Sequence, residues 1–222
     1  MNQFVRSKMG RGFTLIELLV VIAIIGILST LLFPAIQGAL LKTKATSAAA
    51  KMGGKGLVGI VYSVSLDRNA LSQPEIYPRT AGTDTFAGMG SSTDYFKELF
   101  ALNAVTSVMQ VSTLTIPGQQ SPPTTADELS AEQNLWNVVL DTGTSADPGM
   151  PFIFTKNITW ANISAEPSIA NDADNGQPIL NDKLAIIVYA QGATRVLDLT
   201  QETITREVIC QGGSYDKTTI SP

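Results

Sequence analysis

The residues of this chain whose types and spacing could do chemistry are Arg11, Gly12, Phe13, Thr14, Leu15, Ile16 and Glu17, ahead of an apolar run from Leu18 to Ile36. Between Phe13 and Ile36 the only ionisable side chain is Glu17. A charged side chain at a bilayer centre costs about 2.5 to 3.5 kcal/mol on insertion scales and less near the interface, so an acid placed here calls for a cation or a proton. Upstream, Met1 to Gly12 carries Arg6, Lys8 and Arg11 and no acid. A cut after Gly12 would leave Phe13 with a new α-ammonium group one helical turn from Glu17. Processing would then create the counter-charge.

The element that must position this acid is a helix. Twenty-four helical residues, Phe13 to Ile36, span roughly 36 Å, enough to cross a hydrocarbon layer of ~30 Å with some tilt. Two plainer readings stand beside a processed membrane helix. A secretory signal peptide has a shorter apolar core and a small-residue cut site behind it, as Ala35 to Ala39 would offer. A simple single-pass anchor accounts for the length but not for Glu17.

Gly12, Phe13, Thr14, Leu15, Ile16 and Glu17 resemble the processing and methylation motif of type IV prepilins and type II secretion pseudopilins. The resemblance covers about residues 6 to 40. It implies that a membrane prepilin peptidase cuts between Gly12 and Phe13 and that Phe13 is N-methylated. It further implies that Glu17 guides assembly into a helical filament with further copies and with other pilin-like subunits. Gly26 and Pro34 fall where that family's spanning helix commonly has a weakening glycine and a kinking proline. The implied location is a single pass through a bacterial inner membrane, leader cytoplasmic and head periplasmic or extracellular. Charge does not decide this orientation, because three leader cations oppose Lys42, Lys44, Lys51 and Lys55 on the other side.

Composition bounds the rest. The chain has 222 residues and a net charge of −4. Without the leader it has 12 basic and 19 acidic side chains, net −7, and from residue 66 onward 8 basic and 18 acidic, net −10. Such a head repels nucleic acid, so direct nucleic-acid binding is not expected. The single cysteine, Cys210, excludes an intrachain disulfide and reads as a small buried side chain. Many pilin heads close a C-terminal loop with a disulfide, and this one departs from that pattern. There is no histidine, which excludes single-chain His-zinc sites and His-based triads. No phosphate-cradling glycine loop is present, and Asp127 with Glu128 reads as charge at a helix start. An enzyme is not expected.

The expected fold is α+β, a long N-terminal helix packed on a C-terminal antiparallel sheet. The expected division is a removed leader 1–12, a membrane and filament-core helix 13–36, an amphipathic continuation 37–65 and a soluble head 66–222. Ile36, Leu40, Thr43, Ser47, Ala50, Gly54, Leu57, Val61 and Val64 recur at helical spacing and are expected to face the sheet. Lys44, Lys51 and Lys55 fall on a second face, either solvated or met by an acidic neighbour. Four glycines, Gly53, Gly54, Gly56 and Gly59, cost roughly 4 kcal/mol in a helix. Either tight packing offsets them or the helix loosens near Met52; unbroken to Ser65 it would be roughly 80 Å long.

Residues 67 to 92 and Pro117 to Thr125 read as loops. Ser92 or Thr93 is expected to cap a helix burying Phe96, Leu99 and Phe100. Val111 to Ile116 alternates like a strand. Ser130 and Gln133 form a capping-box pattern, predicting a second helix with Trp136, Val139 and Leu140 inside. Phe152 to Phe154, Leu184 to Tyr189, Thr194 to Leu199 and Glu202 to Cys210 are expected strands, the middle pair a hairpin turning at Gly192. Asn171, Asp172, Asp174, Asn175 and Asp182 place hard oxygen ligands suited to calcium in one stretch, without EF-hand spacing. Some pseudopilin heads hold calcium in a C-terminal loop. A solvated turn is the favoured reading, and no cofactor is expected.

Two functions from different classes follow. One is a structural filament subunit, polymerised through its helix. The other is a membrane-tethered binding module or minor tip pilin whose acidic head recognises a secreted protein or a surface. Copy number separates them, because a filament body needs the chain in great excess.

Overall fold

The computed structural model describes residues 13–118, 123–169, 179–211 and 213–222. Its first element is α1, Leu15–Met52, a 38-residue helix with Pro34 inside it. The chain divides after Leu41 into two compact units. In the first, the large apolar side chains from Phe13 to Leu40 expose between 45% (Val21) and 81% (Leu15) of their surface. A helix apolar on every side suits a non-aqueous surrounding. Among the described residues this is the one helix long and apolar enough to cross a membrane.

The helix does not run unbroken to Ser65. It stops at Met52 and resumes as α2, Leu57–Ala70. The glycines explain why. A Cβ on Gly56 would overlap the carbonyl of Lys51, and one on Gly59 that of Gly54, so this short-circuited path admits only glycine. Gly56 N donates to Gly53 O at 2.8 Å, and the helical ladder restarts with Ile60 N donating to Gly56 O at 3.1 Å. The two expectations, tight packing and a loosened helix, are both met at the same place.

Of the stripe the spacing suggested, Leu57 and Val61 are buried as expected, but on α1 a different face turns inward. Ala45, Ala48, Ala49 and Met52 are buried, whereas Ser47, Ala50 and Gly54 are exposed. Small alanines let the helix backbone approach the head closely, and the break then brings Leu57, Val58, Val61 and Ser65 inward. Two ties locate this segment: Lys42 Nζ lies 3.9 Å from Asp198, and Gly53 abuts the methyl of Thr194. Helix residues 42–53 therefore run alongside residues 194–198. The Lys42 side chain is mostly exposed, and at 3.9 Å the ion pair contributes at most about 1 kcal/mol.

The head is built on a five-stranded sheet of β1 (Trp136–Val139), β2 (Pro151–Thr155), β5 (Leu184–Tyr189), β6 (Thr194–Asp198) and β7 (Thr219–Ile220). Its order is β6-β5-β2-β1-β7, antiparallel throughout. The short β3 (Ile158–Thr159) and β4 (Ser168–Ile169) make a separate ladder. Every residue of β1, β2 and β5 is buried, so both faces of the central strands are covered. The β5–β6 hairpin turns through Gly192 as its sequence suggested. The combination of an apolar N-terminal helix and a C-terminal antiparallel sheet is the expected α+β, pilin-like arrangement.

Helix α3, Ser92–Ala101, is capped by Ser91, whose hydroxyl accepts from Asp94 N at 3.1 Å, and it buries Tyr95, Phe96, Leu99 and Phe100. Ser92 Oγ donates to Trp136 O at 2.7 Å, tying α3 to β1. Helix α4, Asn103–Thr106, is a single turn.

Three segments take another form than their pattern suggested. Val111–Leu114 is a 3-10 turn, held where Trp136 Nε1 donates to Leu114 O at 2.6 Å. Ser130 and Gln133 do make the reciprocal capping bonds, at 3.2 and 3.3 Å, but the turn ends there and Trp136–Val139 extends as a strand against β2. Pairing a fully buried stretch that ends in the β-branched Val138 and Val139 on both of its edges outweighs the local helix signal. Asp127 and Glu128 consequently sit in a turn, where Thr124 N and Oγ1 donate to Glu128, not at a helix start. Glu202 to Cys210 forms not a strand but the one-turn α5, Arg206–Ile209, because the Thr205 hydroxyl caps Val208 N at 3.3 Å.

The loop after α2 is pinned by Glu75, which accepts from Asn69 Nδ2 at 2.6 Å and from Thr144 N at 3.0 Å. Burial pushes its carboxyl up, but the bonds from Thr144 and Asn69, with Arg79 nearby, outweigh this and hold it below its ordinary value. A lowered folded value means stability that is present above the unfolded pKa, about 4.3, and is lost as pH falls through the folded value. Glu75→Gln is therefore expected to melt earlier than the native chain at pH 7. That difference should shrink toward zero below about pH 4; a difference that stays constant down to pH 3 would contradict the assignment.

Candidate functional site at the start of the N-terminal helix

Phe13 is exposed and precedes Thr14, whose carbonyl accepts the first helical bond from Leu18 N at 3.3 Å. Thr14 is thus the N-cap of α1. Its backbone N–H donates to Glu17 Oε2 at 2.8 Å and its hydroxyl to the same oxygen at 2.6 Å, while Glu17 N donates back to Thr14 Oγ1 at 3.3 Å. This is a capping box: cap and acid satisfy one another's orphaned groups at the helix start. Each such cap contributes about 1 kcal/mol in water.

The position of Glu17 follows from its sequence neighbours, whereas this capping arrangement was not among the sequence expectations. The signal was present as Thr14-x-x-Glu17 ahead of an apolar run. Glu17 therefore has two donors, Thr14 N and Thr14 Oγ1, within its own chain. Both of those bonds fall on Oε2.

Further along α1 the polar groups are turned back on the helix. Ser29 Oγ donates to Ile25 O at 2.7 Å and Thr30 Oγ1 to Ile27 O at 2.8 Å. Pro34 has no N–H to give Thr30's carbonyl, a local weakness that the helix nevertheless spans without interruption. No described atom lies near a Cβ placed on Gly26, so in a single chain nothing there requires a glycine.

The other residues singled out by sequence are dispersed. Gly12, Asp172 and Asp174 lie outside the described residues. Asp182 ends the turn 179–182, in which Leu180, Asn181 and Asp182 all take left-handed backbone with φ of 49°, 55° and 51°. Cys210 is fully buried, and that burial pushes its thiol up to about 11, leaving it protonated and unreactive at neutral pH. On the head, a cleft of about 480 Å³ is lined by Glu132, Asn137, Lys156, Thr159, Trp160 and Thr219.

Residues 7–33 match the family model described as the prokaryotic N-terminal methylation motif. It is the prepilin-type motif of type IV pilins and pseudopilins. The match supports a type IV pilin-like or pseudopilin subunit, a class of structural proteins that are not enzymes. The motif implies processing by prepilin peptidase and assembly with other pilins, and with the apolar helix it fits a single pass through the inner membrane. No curated protein and no solved structure matches the chain.

Proposed function

We propose that this chain is a structural subunit of a type IV pilus-like or type II secretion pseudopilus filament. Prepilin peptidase removes the leader by cutting between Gly12 and Phe13, and the new Phe13 amine is methylated. The membrane holds the helix with the leader on the cytoplasmic side and the head outside. On assembly the helices leave lipid for one another, and the Phe13 ammonium of an incoming copy meets Glu17 of a copy already placed.

The observation that carries this reading is the carboxylate in the first turn of a helix whose large apolar side chains from Leu15 to Leu40 are exposed. Charge pairing in a medium of low dielectric penalises a wrong register more than it rewards the right one. Apolar contact supplies the area, and the pair supplies the axial alignment. Gly26 and Pro34 are the positions at which this helix would yield as the bundle forms.

Intact mass and N-terminal sequencing of the membrane-extracted protein test the first step. The expected chain starts at Phe13 and carries one added methyl group. A chain starting at Met1, or near Leu40, rejects the proposal.

The second reading, a membrane-tethered module or minor tip subunit, is favoured by the cleft containing Glu132 and Lys156, which offers both charges to a polar ligand. A copy number far below that of other prepilin-like proteins in the same envelope would select it over a filament body.

A further inference from the structure

Two asparagines of the head stand in the pattern Asn-x-Ser/Thr: Asn157-Ile158-Thr159 and Asn162-Ile163-Ser164. By sequence they are equivalent acceptors for N-glycosylation. The fold separates them. Asn157 is fully buried, and its Nδ2 donates to Leu184 O at 2.9 Å and to Ile179 O at 3.4 Å. Both amide hydrogens are spent inside the core, and a sugar there would have no room.

Asn162 is half-buried at the surface, with exposed Ala161 before it and exposed Ser164, Ala165 and Glu166 after it. Ile163 is the anchor: its side chain is buried and its N–H donates to Lys217 O at 2.8 Å. Asn162 Oδ1 accepts from Ser164 N at 2.9 Å and from Ser164 Oγ at 2.8 Å. The hydroxyl that the pattern requires is therefore held on the amide it must accompany. The amide nitrogen is committed only to exposed Asp216, at 3.3 Å.

We propose that Asn162, and not Asn157, is a site of N-linked glycosylation whose donor is a sugar carried on a polyprenyl diphosphate. In the transfer, Nδ2 of Asn162 attacks the anomeric carbon of the reducing-end sugar. A carbon–nitrogen bond forms, the bond from that carbon to the diphosphate oxygen breaks, and polyprenyl diphosphate leaves. The displaced Nδ2 proton passes to a base of the transferase, and no atom changes oxidation state. The inference rests on the reading above that the head lies across the membrane from the cytoplasm, where lipid-linked sugars are presented to membrane transferases.

The test uses the full chain extracted from its native membranes. Trypsin cuts after Lys156 and Lys183, so one peptide carries both asparagines, and electron-transfer fragmentation assigns any added mass to a residue. The expected result is a sugar mass on Asn162, none on Asn157, complete loss of that mass in Asn162→Gln and Ser164→Ala, and its retention in Ser164→Thr. A bare Asn162, a sugar on Asn157, or a mass that sits on Ser164 and survives Asn162→Gln overturns the proposal. Protease accessibility of the head in spheroplasts is read in parallel. With a bare Asn162, an accessible head means that only glycosylation has failed; a protected head removes the topological reading as well.

Discussion

Glu17→Ala is expected to leave the protein inserted and processed while lowering its incorporation into filaments by about 100-fold. Removing one partner of a buried ion pair costs about 3 kcal/mol or more, and each 1.4 kcal/mol is roughly a factor of ten. Alanine would strand the Phe13 ammonium of the next subunit in a bundle of apolar helices. The capping box complicates this result, because alanine also removes the acceptor for Thr14 N and Oγ1, worth about 1 kcal/mol at the helix start. Glu17→Gln separates the two. A glutamine at the third position of the helix preserves a capping box but carries no charge. If register depends on charge, Glu17→Gln should assemble as poorly as Glu17→Ala. Normal filaments from Glu17→Gln would reduce Glu17 to a helix cap and remove the proposed mechanism.

The largest effect expected on the head comes from Gly192. This residue has φ of +89°, and a Cβ on it would fall into the Cα of Gly54 and within 2.7 Å of its backbone nitrogen. Two backbones meet there, the break between α1 and α2 and the turn of the β5–β6 hairpin, so neither side has a flexible group that can yield. Gly192→Ala is expected to destabilise the head by about 3 kcal/mol, combining left-handed strain of about 1 kcal/mol with the overlap. For a head of this size that corresponds to a fall in melting temperature of roughly 6 to 12 °C. Gly88→Ala is the matched control, with φ of +67° but open space around its would-be Cβ. It should cost only about 1 kcal/mol. Equal melting temperatures for the two variants would show that the contact with Gly54 contributes nothing.

These two positions illustrate how differently the chain's halves could be read. Glu17 was legible because its surroundings are set by neighbours in sequence: an acid in an apolar run is conspicuous wherever the chain goes. Even its capping partner, Thr14, lies three residues away. Gly53 to Gly59 was half legible. Four glycines forecast trouble for a helix, but not that the break would fit against Gly192, about 140 residues further along.

Three segments depart from their local pattern for one physical reason. Val111 to Leu114, Trp136 to Val139 and Arg206 to Ile209 each carry a local pattern that favours one element, and each is part of another. Trp136 is the clearest case. Its upstream capping bonds form as the sequence suggests, yet the next residues are claimed by β2 on one edge and β7 on the other. The inward face of α1 likewise differs from its sequence stripe. Spacing identified a plausible stripe, but which stripe is buried depends on where the helix stops and how closely alanine allows it to approach.

By itself, then, the amino-acid sequence determined the membrane-compatible helix, the isolated acid with its processing motif, the acidic head, and the strands in which apolar residues run without interruption. All of these depend on groups within a few residues of one another or on composition. Tertiary structure alone decided the order β6-β5-β2-β1-β7, the burial of Ala45, Ala48 and Ala49, the seat of Gly54 on Gly192, and the opposite fates of Asn157 and Asn162. Those outcomes depend on which distant backbone arrives to take a hydrogen bond or fill a space, and a local pattern carries no record of that encounter.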